Sequence, residues 1–271
     1  MDEFDFYESV SNLSPNNLQD IIDQDINKAF NRSPSFSVRE LLSELDARNI
    51  KSYIVGGAVR DWLSGQSSRD IDISVDCRTE GALDFLRETI GDNIPMDIHA
   101  HFGHICIEGD ISPIDINVLR NSADITRGFY TSNFKGGASL KEDADTRDFS
   151  INSFYYDDKT RSIFSPFGSA YDDLKNNRIT VVSDKKTLNA NFGLCIRIIL
   201  FMSRGYTASP NVLALLKQRL EKDILGYEEF GMWLNHFYPE DEEQAETFKR
   251  LIFQNIQAHE AIDKVNNWLA S

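Results

Sequence analysis

Asp70 and Asp72 stand two residues apart within SYIVGGAVRDWLSGQSSRDIDISVD, residues 52–76. On an extended strand the side chains at i and i+2 leave by one face, so the two carboxylates point the same way. Like charges held that close repel, and a bound divalent cation is the usual relief. Upstream, Gly56 and Gly57 follow the apolar Tyr53, Ile54 and Val55 and open a short helix that carries Arg60 and Asp61. Glycines let backbone N–H groups come close to an anion, and the start of a helix has unpaired donors to offer it. A phosphate cradle beside a carboxylate pair is the layout of metal-assisted nucleotidyl transfer. The plain alternatives are two surface acids on an edge strand and an ordinary helix arginine.

In its order and spacing, GGAVRD followed by DID between apolar strands resembles the head domain of the tRNA nucleotidyltransferase and bacterial poly(A) polymerase family, a branch of the polymerase-beta-like nucleotidyltransferases. A second segment, KEDADTRDFSINSFYYD, resembles the family run EDxxRRDFTINAL through Glu142, Asp143, Arg147, Asp148, Phe149, Ile151 and Asn152. There the Arg, Asp and Asn hold the nucleotide sugar and phosphates, roles that fall to Arg147, Asp148 and Asn152; a pair that merely caps a helix is the alternative. Between these segments, HAHFGHICIEGDISPIDINVLR resembles the family's paired strands, with Asp115 as the third metal-binding acid and Arg120 at the family's distance beyond it. IFSPFGSAYDDLKNNRI resembles the hinge segment, with Ser165 where an Asp is usual.

The resemblance covers roughly residues 36–206. It implies an α+β fold, a mixed sheet flanked by helices and followed by a short all-α neck and C-terminal region. It also implies transfer of a nucleotide from an NTP to an RNA 3′ end, tRNA-like or other, with Mg2+ or Mn2+ held by Asp70, Asp72 and Asp115. The nucleotide would be bound by Gly56, Gly57, Arg60, Asp61, Arg120, Arg147, Asp148, Asn152 and Asn191.

After the hinge, family members carry EDxxR on a neck helix, whose Asp and Arg read the incoming base. Matching Arg197 to the last arginine of the family run EDPLRILR puts Asn191 at the Asp position and Leu194 at the Arg position. An amide can still bond one edge of a base, whereas a leucine has no donor. Thr146 also replaces the first of the paired arginines before Asp148. This predicts an intact metal site with altered base selection. The competing expectation is a non-catalytic descendant that binds nucleotide or RNA and acts through a protein partner.

Several elements must position these residues. Ser37 and Glu40 have capping-box spacing, and Val38, Leu41, Leu42 and Leu45 follow at helical intervals. A helix over about 79–90, strands near 104–107 and 115–119, and a loop over 131–139 complete a head domain spanning 35–180. Residues 1–34 read as an acidic extension with one candidate helix around 18–30. Residues 181–271 read as helical: a neck helix from about 188 through Arg204, a second with Val212, Leu215, Leu216 and Leu220, and a last over about 242–269.

With 271 residues and 41% hydrophobic content, the chain can bury a substantial core. It has no run of 18 apolar residues and its first residues are polar and acidic, so it reads as a soluble, cytoplasmic protein without a membrane partner. Cys77, Cys106 and Cys195 lack metal-binding spacing and read as reduced core thiols. Of the net charge of −15, −13 lies in two segments: residues 1–30 hold seven acids and one base, and residues 221–260 ten acids and three bases. Those segments read as solvated surface, or alternatively as a docking site for a basic protein partner. No basic stripe of the kind that grips a long RNA backbone is present. His99, His101 and His104 read as ordinary strand and turn histidines rather than a metal cluster, and Phe164, Phe167 and Phe201 as core.

Overall fold

A computed structural model describes residues 8–9, 16–32, 35–68, 70–91, 95–99, 103–109, 111–121, 125–126, 129–130, 137–184, 187–188, 191 and 193–270. The first elements are β1 (Glu8–Ser9), α1 (Leu18–Ile26), β2 (Ala29–Arg32), β3 (Ser35–Ser37), α2 (Val38–Ala47) and β4 (Ser52–Val55). Then come α3 (Gly57–Leu63), β5 (Ile71–Val75), α4 (Thr79–Ile90), β6 (Met96–His99), β7 (His104–Ile107) and β8 (Ile114–Val118). The short pair β9 (Ile125–Thr126) and β10 (Phe129–Tyr130) precedes α5 (Leu140–Ala144), a 3-10 turn (Ser150–Asn152), β11 (Tyr155–Asp157), β12 (Ser162–Ser165), α6 (Ala170–Lys175) and β13 (Arg178–Ile179). The remainder is helical apart from β14 (Thr207–Ala208): α7 (Leu194–Ser203), α8 (Pro210–Gly226), α9 (Glu229–His236), α10 (Glu242–Gln254) and α11 (His259–Ala270).

Eight strands form one mixed sheet in the order β1-β12-β11-β4-β5-β8-β7-β6. Strands β5 and β8 run parallel, while the other neighbours are antiparallel. Alternation along the strands sorts the residues between two faces. Ile71, Ile73 and Val75 of β5 and Ile114, Ile116 and Val118 of β8 enter the large core shared with α1 to α4 and the later helices. Their alternates, Asp72, Ser74, Asp115 and Asn117, therefore leave by the other face, where a smaller apolar cluster gathers Tyr53, Val55, Leu140, Tyr155 and Phe164. Asp72 of the DID run and Asp115 thus sit on the middle strands of the sheet, opposite its main helical layer, while Asp70, expected on the same strand, precedes it.

The capping box at Ser37 and Glu40 is formed, each side chain bonding the other's backbone N–H. The helix expected over 79–90 is α4. Helix α9 was not among the expected elements, and two others differ from the sequence reading. Helix α1, expected within a loosely patterned extension, buries Leu18, Ile22 and Ile26 in the large core, with Phe30 behind them. Its Asp25 is buried too, and accepts bonds from Trp62 Nε1 at 2.8 Å, Ser67 Oγ at 2.5 Å and the Ser68 N–H at 2.8 Å. The single helix expected over 242–269 is broken into α10 and α11, because Glu221 accepts the N–H groups of Gln257 and Ala258 at 2.6 and 2.7 Å and holds the chain in a turn there. The three cysteines are free thiols. Residues 131–136 of the expected loop, and His101, lie outside the described residues. Among the described residues no helix is long and apolar enough to cross a membrane.

Candidate active site

A cleft of about 730 Å³ opens where the end of β4, strands β5 and β8, the Asp143–Asn152 segment and α7 meet. Asp72 and Asp115 are register partners across the parallel β5–β8 pair. Burial, reinforced by the charge of Asp115, pushes the Asp72 carboxyl above its ordinary range. Asp115 goes the other way: a bond to His104 Nε2 at 3.0 Å, together with one from the Cys106 thiol, holds it down. Asp70 lies one residue ahead of β5, exposed, and lines the same cleft.

Among the described residues no group of three His, Cys, Asp or Glu side chains stands arranged to hold a metal ion by itself. The donors nonetheless fit a hard cation. Magnesium is commonly held by one or two carboxylates, with phosphate oxygens and water filling its remaining positions. Asp72 and Asp115 supply that pair in a partly dry setting, and their mutual repulsion favours a cation between them.

The glycine turn adjoins the carboxylates. Gly56 has φ +71° and ψ −127°, a conformation open to glycine and costly for other residues. A Cβ there would lie 3.6 Å from both Asp72 Oδ2 and Arg147 Nη1. The Gly56 N–H donates to the Phe154 carbonyl at 3.3 Å, so the expected backbone cradle begins at Gly57. Arg60, one turn on, bonds Asp61 through Nε and Nη2 and Asn152 Oδ1 through Nη1 at 2.7 Å.

The second motif forms a relay from that arginine. Asn152 Nδ2 donates to Asp148 Oδ1 at 3.0 Å, and Arg197 Nε donates to Asp148 Oδ2 at 2.6 Å. Arg60, Asn152, Asp148 and Arg197 are therefore joined across α3, the 3-10 turn and α7. Burial alone would raise the Asp148 carboxyl, but Arg197 and Asn152 together hold it below its ordinary range. Arg147 is anchored inward: Nη2 bonds Asp143 Oδ2 at 2.9 Å and Ser74 Oγ at 3.3 Å, and Nε bonds Tyr155 Oη at 3.1 Å. Tyr155 in turn donates to Asp143 at 2.6 Å. Arg120 closes this corner, its N–H on Asp143 Oδ1 and its Nη2 on Asn117.

The structure brings every sequence-expected site residue to this cleft: Gly56, Gly57, Arg60, Asp61, Asp70, Asp72, Asp115, Arg120, Arg147, Asp148, Asn152 and Asn191 all line it. Leu194 does not enter it. That side chain is fully buried in the core, and Arg197, three residues along α7, reaches the cleft instead. His104, Arg204, Trp233 and Phe237 also line the cleft without having been expected there. His104 was legible in principle, since it pairs in register with Asn117 beside Asp115. The other three follow from helix packing and leave no local signal. His99 stacks on the His104 ring at 5.7 Å, an ordinary cross-strand contact.

Residues 52–180 match the Poly A polymerase head domain. The chain is 29% identical over 130 residues to a CC-adding tRNA nucleotidyltransferase of Shouchella clausii, covering 47% of this chain and 28% of that protein. It is 28% identical over 176 residues to a multifunctional CCA protein of Xylella fastidiosa, covering 62% of this chain and 39% of that one. The chain thus spans well under half the length of these curated relatives. Its fold is that of the Thermotoga maritima CCA-adding enzyme solved in complex with tRNA, with a TM-score of 0.66 over 92% of this chain and 54% of the other, at 23% identity. The mixed sheet with flanking helices and the helical region that follows are common to both.

Proposed function

We propose that the chain is a metal-dependent nucleotidyltransferase that moves a nucleoside monophosphate from an NTP to an RNA 3′ end in the cytoplasm, with base selection altered from that of its relatives. The observation that carries this reading is the convergence of Asp70, Asp72 and Asp115 with the Gly56–Gly57 turn and the Asp148–Asn152 pair in one cleft. In-line displacement at an α-phosphate is mostly placement and charge compensation. Mg2+ or Mn2+ held by Asp72 and Asp115, with Asp70 lining the same cleft, would supply that compensation at the transferred group. Gly57 and Arg60 offer an amide and a guanidinium to the triphosphate. Asp148 and Asn152, already oriented by Arg197 and Arg60, accept and donate to the ribose. Arg147 and Arg120 hold Asp143 and add positive charge behind the phosphates.

Incubating the protein with each α-labelled NTP, MgCl2 or MnCl2, and total RNA tests this. Label transferred by the wild type and lost in Asp72→Ala is the expected result. Equal labelling by the wild type and an Asp70→Ala, Asp72→Ala double variant removes the enzyme reading. A second reading, a nucleotide- or RNA-binding protein without chemistry, draws on Leu194, buried where the family resemblance expects a base-reading arginine. Retained ATP binding without transfer selects it.

A further inference from the structure

The end of the cleft at Asn191, where the family resemblance expects base-reading side chains, carries an aromatic surface. On α9, Phe230 and Leu234 are buried in the large core. Trp233 of α9 and Phe237, the residue that caps its C-terminal end, are four residues apart and both line the cleft. Their rings are stacked, with centroids 5.7 Å apart and planes 14° from parallel. Trp233 stays 41% exposed, unlike most of the protein's large aromatic side chains.

Gly193, at the start of α7, lies against the rings with room for ordinary van der Waals contact. A Cβ at that position would lie 3.7 Å from both the Trp233 indole and Asn191 Oδ1, and 3.8 Å from the Phe237 ring. Arg197 completes the group, its guanidinium 5.3 Å from the Phe237 ring centre while its Nε holds Asp148. The aromatic pair is thus one arginine away from the carboxylate that would position the ribose. A base attached to that ribose would emerge toward the rings.

Resting on the nucleotidyltransferase reading, we propose that Trp233 and Phe237 form a stacking platform for the nucleobase of the incoming NTP, and that binding at this end depends on the π face more than on hydrogen bonds to the base edge. Stacking tolerates any base, because every base has a π face, and it favours purines through their larger overlap. Asn191 and the rim cations Arg197 and Arg204 are left to add what edge contacts they can.

The test is equilibrium binding without RNA, in MgCl2, of ATP, CTP and inorganic tripolyphosphate, read by calorimetry and by quenching of tryptophan fluorescence. Trp233→Leu keeps apolar bulk and removes the ring; Trp233→Phe restores a ring. The proposal expects Trp233→Leu to weaken ATP and CTP by roughly 5- to 100-fold, ATP more. It expects tripolyphosphate to be unaffected, and Trp233→Phe to bind near wild type. ATP binding by Trp233→Leu and by Phe237→Leu at wild-type strength overturns it and leaves the phosphate and metal assignments standing. Equal weakening of tripolyphosphate and ATP overturns it as well, since the loss would then be structural. A wild type that binds none of the three ligands overturns the nucleotidyltransferase reading and this inference with it.

Discussion

Asp72 and Asp115 face one another across two parallel strands, and they differ in proton affinity: burial beside Asp115 raises Asp72, while His104 lowers Asp115. A pair of this kind is a poor structural element and a good cation site. Asp72→Asn should leave the metal-free protein at least as stable as the wild type, because it relieves repulsion. Added MgCl2 should raise the wild-type melting temperature, by the equivalent of about 2.7 kcal/mol at a hundredfold excess over Kd, and leave the variant unmoved. Transfer should fall about a thousandfold or more, the loss of several kcal/mol of charge stabilisation. Thermal melts with and without MgCl2, beside the labelling assay, check all three.

Arg147 should behave oppositely. Its buried guanidinium holds Asp143, Tyr155 and Ser74, so Arg147→Met leaves a buried carboxylate without its cation. The expected cost is about 3–5 kcal/mol in urea unfolding, a large share of typical domain stability. Lysine cannot reproduce three separate contacts, so Arg147→Lys should recover little of it. A stable, merely inactive Arg147→Met protein would show that Arg147 serves the nucleotide alone.

Removal of residues 1–30 should destabilise the protein rather than trim an arm. Ile22, Ile26 and Phe30 are buried, and each apolar side chain of that size contributes about 1.5–3 kcal/mol. Asp25 also holds the segment leading to Asp70 through Ser67 and Ser68. Lower yield, a depressed melting temperature and weaker Mg2+ binding in the truncated chain are expected. A truncated protein that melts like the full one contradicts this.

Acid stability follows from the buried and paired carboxylates. Burial works against ionisation of Asp23, but hydrogen bonds from Arg39 and Arg161 prevail and lower its pKa from the ordinary 3.8 to about 2. A carboxylate lowered in the folded state adds stability that is complete above its unfolded value and disappears as pH falls through its folded one. Wild-type melting temperatures should therefore drop between pH 4 and pH 2, and Asp23→Asn should flatten part of that slope. The part is modest, because the group is partly solvated and screened.

Base choice should be loose. A site that bonds a base edge rejects wrong bases by leaving its own polar groups unpaired, and buried Leu194 imposes no such penalty. Transfer from several NTPs, within about tenfold of each other, is expected when all four are compared. Strict use of CTP and then ATP would assign the reading to Arg197 and Asn191.

The parts of the molecule that were legible in the sequence are those written in short-range pattern. The Ser37–Glu40 box and helix α4 depend on neighbours three or four residues away at most, whereas Asp70, expected on one strand with Asp72, lies one residue ahead of β5. What escaped depends on distant partners. The break between α10 and α11 is imposed by Glu221, 36 residues before Gln257. Trp233, Phe237 and Arg204 reach the cleft only because α9 packs beside α7, and helical periodicity says which side of a helix is apolar, not what it meets. The burial of α1 was hidden by its acids, of which Asp25 is held by Trp62 and Ser67, more than 30 residues on, as well as by Lys28.

The pairing of Glu8 and Ser9 with Ser165 and Phe164 gives β12 a neighbour on its outer side. Without those two residues the sheet would end in an open row of backbone donors and acceptors beside Ile163 and Phe164, a template for strand addition from another copy. The opposite margin, β6, is already discouraging to such growth, with Asp97 and His99 exposed and bonded to each other. Glu8 and Ser9 therefore guard colloidal behaviour. Shortening the chain past Ser9 should show itself first in light scattering and concentration-dependent association, before any change in chemistry.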